Sequence, residues 1–240
     1  MTAVVTQAFN EQDETVIEDA LVEFNELAEI EPNFFRADFK SLYEAFKPIV
    51  AYKEFANNTI RHQPIEFVVT MIERKPSIAK KDQELIKDVL ELIFQLMIDI
   101  DEDIDAEWLH PKEGFAGEDE EEDNVSFGKT CVDRLVAGVG EGTMLPLIGI
   151  LVQNTIANDT DWRYKHAGIM AFSQVGEYVD DIEKIRPMIP TVLQHITHPN
   201  PKIRYASLHC IGQIADDMAG DFQKTFHQDC LPIMIQALDD

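Results

Sequence analysis

The chain has 240 residues, is 45% hydrophobic and carries a formal net charge of −25. That apolar content is too high for a disordered polypeptide. No apolar run reaches the roughly 18 residues that span a bilayer, and the opening MTAVVTQAFNEQDE lacks the charged and apolar regions of a secretory signal. So negative a field repels the nucleic-acid backbone and attracts basic partners.

Apolar residues recur with helical spacing along almost the whole chain, and no stretch alternates long enough to argue for a sheet. The spacing predicts a partial helix at 2–10 and its partner at 14–30. A second pair follows at 35–52 and 58–75, stopping near Pro76. A third, 83–100 and 125–139, is split by an acidic insertion. The fourth is 143–157 and 161–179, the fifth 185–197 and 201–218, and a lone helix at 227–238 closes the chain. The aliphatic-proline steps Leu145-Pro146, Ile189-Pro190 and Leu231-Pro232 are expected in first helical turns, where the missing proline N–H has no intrahelical partner. Asn200 followed by Pro201 is an N-cap and first-turn signal, and Thr160 or Asp161 plays that part 39 residues earlier.

Those two starts belong to one repeated segment. DWRYKHAGIMAFSQVGEYV from Asp161 lies over NPKIRYASLHCIGQIADDM from Asn200, matching Lys165 with Arg204, Ala167 with Ala206, Phe172 with Ile211 and Gln174 with Gln213. A period near 40 residues marks a solenoid, in which each helix pair buries its apolar face only against its neighbours. The expected architecture is therefore all-α: a HEAT-repeat α-solenoid, a superhelical stack of antiparallel helix pairs. One array of about five pairs is expected over 1–240, truncated at both ends because the chain starts and stops inside a repeat.

Residues 99–123 hold 13 acidic side chains against one base, Lys112, so the body outside this insertion is acidic as well. A calcium loop does not fit. Counting from Asp99, Ile104 stands where an EF-hand needs glycine and His110 where it needs glutamate; counting from Asp101, Ala106 and Lys112 stand there. A solvated loop is the plain account of the run. Trp108 within it needs an apolar place to dock, on its own scaffold or on a partner. The three cysteines, Cys131, Cys210 and Cys230, have no paired spacing, which fits a reducing compartment, and two of them sit at apolar helix positions that read as small buried thiols. His195, His198, His209 and His227 fall on different helices without the convergence zinc requires. Asn57, Asn124 and Asn158 open N-x-S/T triplets that read as coincidence. No phosphate loop, nucleophile elbow or isolated carboxylate pair is present, so no cofactor and no catalytic residue is expected.

The segments HPNPKIRYASLHCIGQIADDMAGDFQKTFHQDCLPIMIQAL and DWRYKHAGIMAFSQVGEYV, with the acidic insertion followed by CVDRLVAGVGEGTMLPLI, resemble the importin-β (karyopherin-β) nuclear transport receptors, specifically the importin-5 (karyopherin-β3) branch. The likeness is specific from about 95 to 240 and one of pattern only before that. It implies a non-enzymatic receptor that shuttles between cytoplasm and nucleus. Its expected partners are basic cargo or localisation peptides, Ran-GTP and FG-repeat nucleoporins, with no direct nucleic acid and no membrane.

The resemblance also implies a site. Asp133, Glu177 and Asp217, with Asp216 beside the last, are expected to form a row of lysine-gripping carboxylates on a concave face, one repeat apart. Trp162 is a lesser candidate, either a peptide-stacking platform or a wedge between repeats. The insertion, with Asp101, Glu102, Asp103, Asp105, Trp108, Glu118, Asp119, Glu120, Glu121, Glu122 and Asp123, is expected to take part in Ran binding and cargo release. Lys165 and Arg204 read as structural bases that meet a carboxylate or carbonyl. A HEAT scaffold of another kind, such as a phosphatase regulatory subunit or a chromosome-organising protein, is the alternative. It explains the repeats but not the insertion.

Overall fold

The computed structural model describes residues 2–80, 82–100 and 123–238, and among these every regular element is helical. The α-helices are α1 Thr2–Glu11, α2 Glu14–Ile30, α3 Phe39–Ala51, α4 His62–Arg74, α5 Gln83–Ile98, α6 Asn124–Val139, α7 Glu141–Ile156, α8 Trp162–Phe172, α9 Ile189–Leu193, α10 Pro201–Asp217 and α11 Asp221–Ala237. Short 3₁₀ turns occupy Pro32–Phe35, Asn58–Arg61, Gly176–Tyr178 and Ile182–Lys184. None of the described helices is long and apolar enough to cross a membrane.

The chain divides into two compact units. Met1–Leu96 and Thr130–Leu147 make the first, Met97–Lys129 and Ile148–Asp240 the second. In the first, α4 packs on α2 and α3. Helix α2 starts where the Asp13 carboxylate accepts from Val16 N, and it buries Ile17, Leu21, Phe24 and Ala28, one stripe at helical spacing. Phe67 of α4 is the hub of an aromatic core, with ring centroids 5.1 Å from Phe35, 5.5 Å from Phe46 and 6.0 Å from Phe24. These pairs meet edge-on, the arrangement the ring quadrupole favours.

In the second unit, α10 packs on α8, α9 and α11. The Asn200 side chain accepts from Lys202 N, Pro201 occupies the first turn, and Ile203, Ala206, Cys210, Ile211 and Ile214 are buried. The small residues of the repeat do distinct work. Thr155 Oγ1 lies so close to Gly168 that a Cβ there would sit 2.2 Å from it. At the equivalent position, Ser207 fits by turning its hydroxyl onto Ile203 O at 2.8 Å.

Several boundaries differ from the sequence expectation. Pro146 and Pro232 lie inside α7 and α11, not in their first turns, because those helices begin earlier. Gly140 (φ +99°) and Gly220 (φ +91°) supply left-handed turns just before Glu141 and Asp221, so both helices start there. The helix expected over 161–179 ends at Phe172, where Ser173 Oγ donates to Met170 O, and the chain continues as turns into Gly176–Tyr178. The helix expected over 185–197 is α-helical only at Ile189–Leu193, with Pro190 in its first turn as expected.

The asparagines of all three N-x-S/T triplets have local roles. Asn57 and Asn158 accept from the backbone N–H of Thr59 and Thr160, and Asn124 donates to Asp99 O at 2.7 Å. Cys131, Cys210 and Cys230 are free thiols and buried. Burial pushes the Cys230 thiol up to about 11, so it is inert as a nucleophile at neutral pH.

Candidate peptide-binding site

The second unit gathers three of the expected carboxylates at one end of α8 and α10. Each helix is fixed from its start. Asp161 caps α8 by accepting from Arg163 N, while its carboxylate also takes the Arg163 guanidinium, Nη2 to Oδ2 at 2.7 Å. Lys165 is buried, and its Nζ donates to Ile156 O (2.7 Å), Asn158 O (2.7 Å) and Asp159 Oδ1 (2.6 Å). Arg204 repeats the arrangement, donating to His198 O at 3.0 Å and Pro199 O at 3.1 Å. Both bases therefore fasten their helix to the turn just before it, placing a cation on carbonyls that otherwise lack donors.

At the far end, Glu177 is exposed in the 3₁₀ turn that follows α8, not on a helix. Asp216 is exposed near the end of α10. Asp217 is half-buried: Gln213 Nε2 donates to its Oδ1 at 2.8 Å, and its carboxylate packs against Gly176, where an added Cβ would stand 2.8 Å from Oδ2. This contact draws Glu177, the neighbour of Gly176, to the Asp216–Asp217 end of α10.

Asp133 belongs to the first unit, half-buried on α6. Its neighbour Arg134 is a clamp, with Nη1 donating to Glu66 Oε2 at 2.7 Å and Nη2 to Glu73 Oε2 at 2.6 Å and to Thr70 Oγ1 at 3.0 Å. Burial alone would lower the Arg134 pKa, but the hydrogen bonds to Glu73 and Glu66 raise it, so the guanidinium stays charged. This ion-paired group holds α6 to α4 beside Asp133.

Trp162 is half-exposed at the first turn of α8. Its ring meets His166 edge-on with centroids 6.0 Å apart, and Lys202 Nζ lies 5.6 Å from its centroid. Asp123 is exposed and caps α6 by accepting from Ser126 N at 2.6 Å. The remaining insertion candidates, Asp101, Glu102, Asp103, Asp105, Trp108 and Glu118 to Glu122, lie outside the described residues, as do both registers of the excluded calcium loop beyond Ile100.

Comparison with known proteins shows what the chain is similar to. Residues 53–146 match the Importin repeat and residues 188–218 the HEAT repeat. The chain is thus similar to the importin-β proteins. It is 28% identical over 218 residues to importin subunit beta-3 of Saccharomyces cerevisiae, which covers 89% of this chain and 20% of that protein. The structure of Kap121p superposes with a TM-score of 0.85 at 23% identity over 98% of this chain and 23% of that one. Kap121p bound to RanGTP does so with a TM-score of 0.82 at 22% identity over 96% of this chain and 23% of that one. The fold is thus that of the karyopherin HEAT solenoids, and the chain spans about a fifth of the length of the relatives it matches. Other Kap121p structures hold Nup53p and Pho4p, and one is a mutant with two aspartates and a glutamate changed to lysine.

The second unit also carries polar groups that the sequence reading missed. Lys129 Nζ lies 2.9 Å from His209 Nε2, and Tyr205 stacks on His209 with centroids 5.9 Å apart. His166 is 6% exposed and, among the described residues, its Nδ1 has no hydrogen-bond partner. Burial, followed by the Lys202 charge, lowers its pKa to about 4, so the ring is neutral. The helical spacing of Lys202, Tyr205 and His209 on one face of α10 was the available signal.

Proposed function

We propose that the chain is a cargo-gripping segment of a nuclear import receptor. Glu177, Asp216 and Asp217 of the second unit take lysines of a basic, partly extended localisation peptide, and Asp133, in the first unit, is a lysine-gripping carboxylate in its own right. The acidic insertion takes part in Ran-GTP binding and cargo release. FG-repeat nucleoporins are the expected transit partners, and the receptor shuttles between cytoplasm and nucleus. Its work is binding and release, without bond chemistry. The observation that carries this reading is the packing of Gly176 on Asp217, which brings the turn bearing Glu177 to the end of α10 that bears Asp216 and Asp217. A cluster of carboxylates with partly solvated oxygens suits ammonium groups, and each exposed pair contributes about 0.2–1 kcal/mol, so affinity needs several together. Kap121p, whose charge-reversed mutant exchanges the same residue types, supports the assignment by analogy.

The test is fluorescence anisotropy with a labelled lysine-rich peptide. Glu177→Lys with Asp216→Lys should abolish binding while the circular dichroism spectrum is unchanged, because both side chains are exposed. The control reverses two acids elsewhere on the surface, Glu23 and Glu26. Binding should also weaken between 0.1 and 1 M salt as the Debye length falls from about 10 to about 3 Å. Equal loss in both double mutants would mean that the field of the whole acidic body, not this cluster, attracts the peptide.

A further inference from the structure

The carboxylates mark one end of α10, while its first half is basic and aromatic. The chain has 45 acids and 20 Lys and Arg residues, yet among the described residues no carboxylate lies within ion-pair distance of Lys129. Asp123 acts on it only through space. Among the described residues its hydrogen-bond partner is the His209 ring. Burial lowers the Lys129 pKa, and burial followed by the neighbouring ammonium lowers that of His209. The ammonium therefore donates and the neutral imidazole accepts. Among the described residues this partly desolvated cation touches a neutral partner and no carboxylate, and an incoming carboxylate supplies the counter-charge. Tyr205 stacks on His209, Lys202 lies over Trp162, and the buried His166 beside them keeps an unpartnered Nδ1. Positive charge, aromatic surface and an unused polar atom thus meet in one place.

We propose that the Lys129–His209 pair, flanked by Lys202 and Trp162, receives a single carboxylate carried on the basic peptide, so that the second unit reads a bipolar sequence. This rests on the peptide-binding reading above. A net −25 body disfavours a partner that is acidic as a whole, so the carboxylate belongs to a peptide that is basic overall. The spacing follows from α10. His209 and Asp217 are eight residues apart on one helix, about 12 Å at 1.5 Å per residue, and roughly four extended residues cover that distance. The preferred ligand has an acidic residue about four positions from a lysine.

The experiment uses the full chain and three labelled ten-residue peptides with the same lysines. One carries glutamate four positions from a lysine, one carries glutamine there, and one carries glutamate at the adjacent position. The spaced glutamate peptide should bind on the order of threefold to tenfold tighter than the glutamine peptide. Lys129→Gln should erase that difference, with folding checked by circular dichroism. His209→Gln, which keeps a polar group of similar reach, should reduce it. Equal binding of the glutamate and glutamine peptides overturns the proposal, as does a difference that survives Lys129→Gln. A preference that emerges only after Glu118 to Glu122 are neutralised to amides would assign the seat to the chain's own acids and overturn it too. If no peptide binds, the peptide-binding reading itself falls, an outcome distinct from binding without preference.

Discussion

The Asp217 carboxylate occupies the space that a side chain on Gly176 would need, with Oδ2 at 2.8 Å and Asp217 Cβ at 3.1 Å from an ideal Cβ there. Gly176→Ala should therefore displace Asp217 and destabilise the chain by about 1 kcal/mol. Asp217→Ala removes the obstructing carboxylate, so the double mutant should be more stable than the sum of the singles predicts. Urea midpoints of the four proteins give the coupling; additive effects would show that the contact is slack.

Lys165 and Arg204 hold equivalent positions but differ in burial, which predicts unequal costs. Lys165→Met strands one buried and one part-buried carbonyl and should cost about 2–3 kcal/mol. Arg204→Met affects carbonyls nearer solvent and should cost about 1 kcal/mol. Thermal or chemical denaturation of the two variants tests the order; an equal loss would contradict it.

His166 predicts a pH dependence. Its folded pKa is near 4 against an ordinary 6.5, so between these values the unfolded ring takes up a proton that the folded ring refuses. Stability at this site is complete above about pH 6.5, falls as pH drops, and levels off near pH 4 after a loss of about 3 kcal/mol. His198 and His209 are shifted the same way and add to the slope. His166→Phe should keep the fold and make the decline between pH 6.5 and 4.5 shallower. An unchanged slope of urea midpoint against pH would show that the folded ring protonates freely.

Gly168 predicts a steric rescue. Gly168→Ala forces its Cβ within 2.2 Å of Thr155 Oγ1 and should destabilise by about 1–3 kcal/mol. Thr155→Ala opens the space and should recover part of the loss, read from the same denaturation curves.

What the sequence disclosed depended on where information was local. The starts of α2 and α10 were legible because Asp13, Asn200 and Pro201 act within three residues of themselves. The anchoring roles of Lys165 and Arg204 were legible because the repeat set them side by side. The end of α8 at Phe172 was not, because Gly176 leaves the helical path against Asp217, 41 positions later. The starts of α7 and α11 were misplaced because the prolines were weighed and Gly140 and Gly220 were not. Among the site residues, Glu177 and Asp217 could be named from their repeat positions, but not that one is exposed on a turn and the other half-buried. The Lys129–His209 pair joins residues 80 apart, and no local pattern announces it.

The anchors at Lys165 and Arg204 reach back only nine and six residues. An inner helix and the turn that positions it can therefore assemble before any distant part of the chain has arrived, so nascent repeats should order one after another as they leave the ribosome. The same locality makes the unit portable. A duplicated repeat brings its own fastening with it and asks only for a neighbour with a matching apolar face, which explains how Lys165 and Arg204 survive as counterparts where most surrounding residues have diverged.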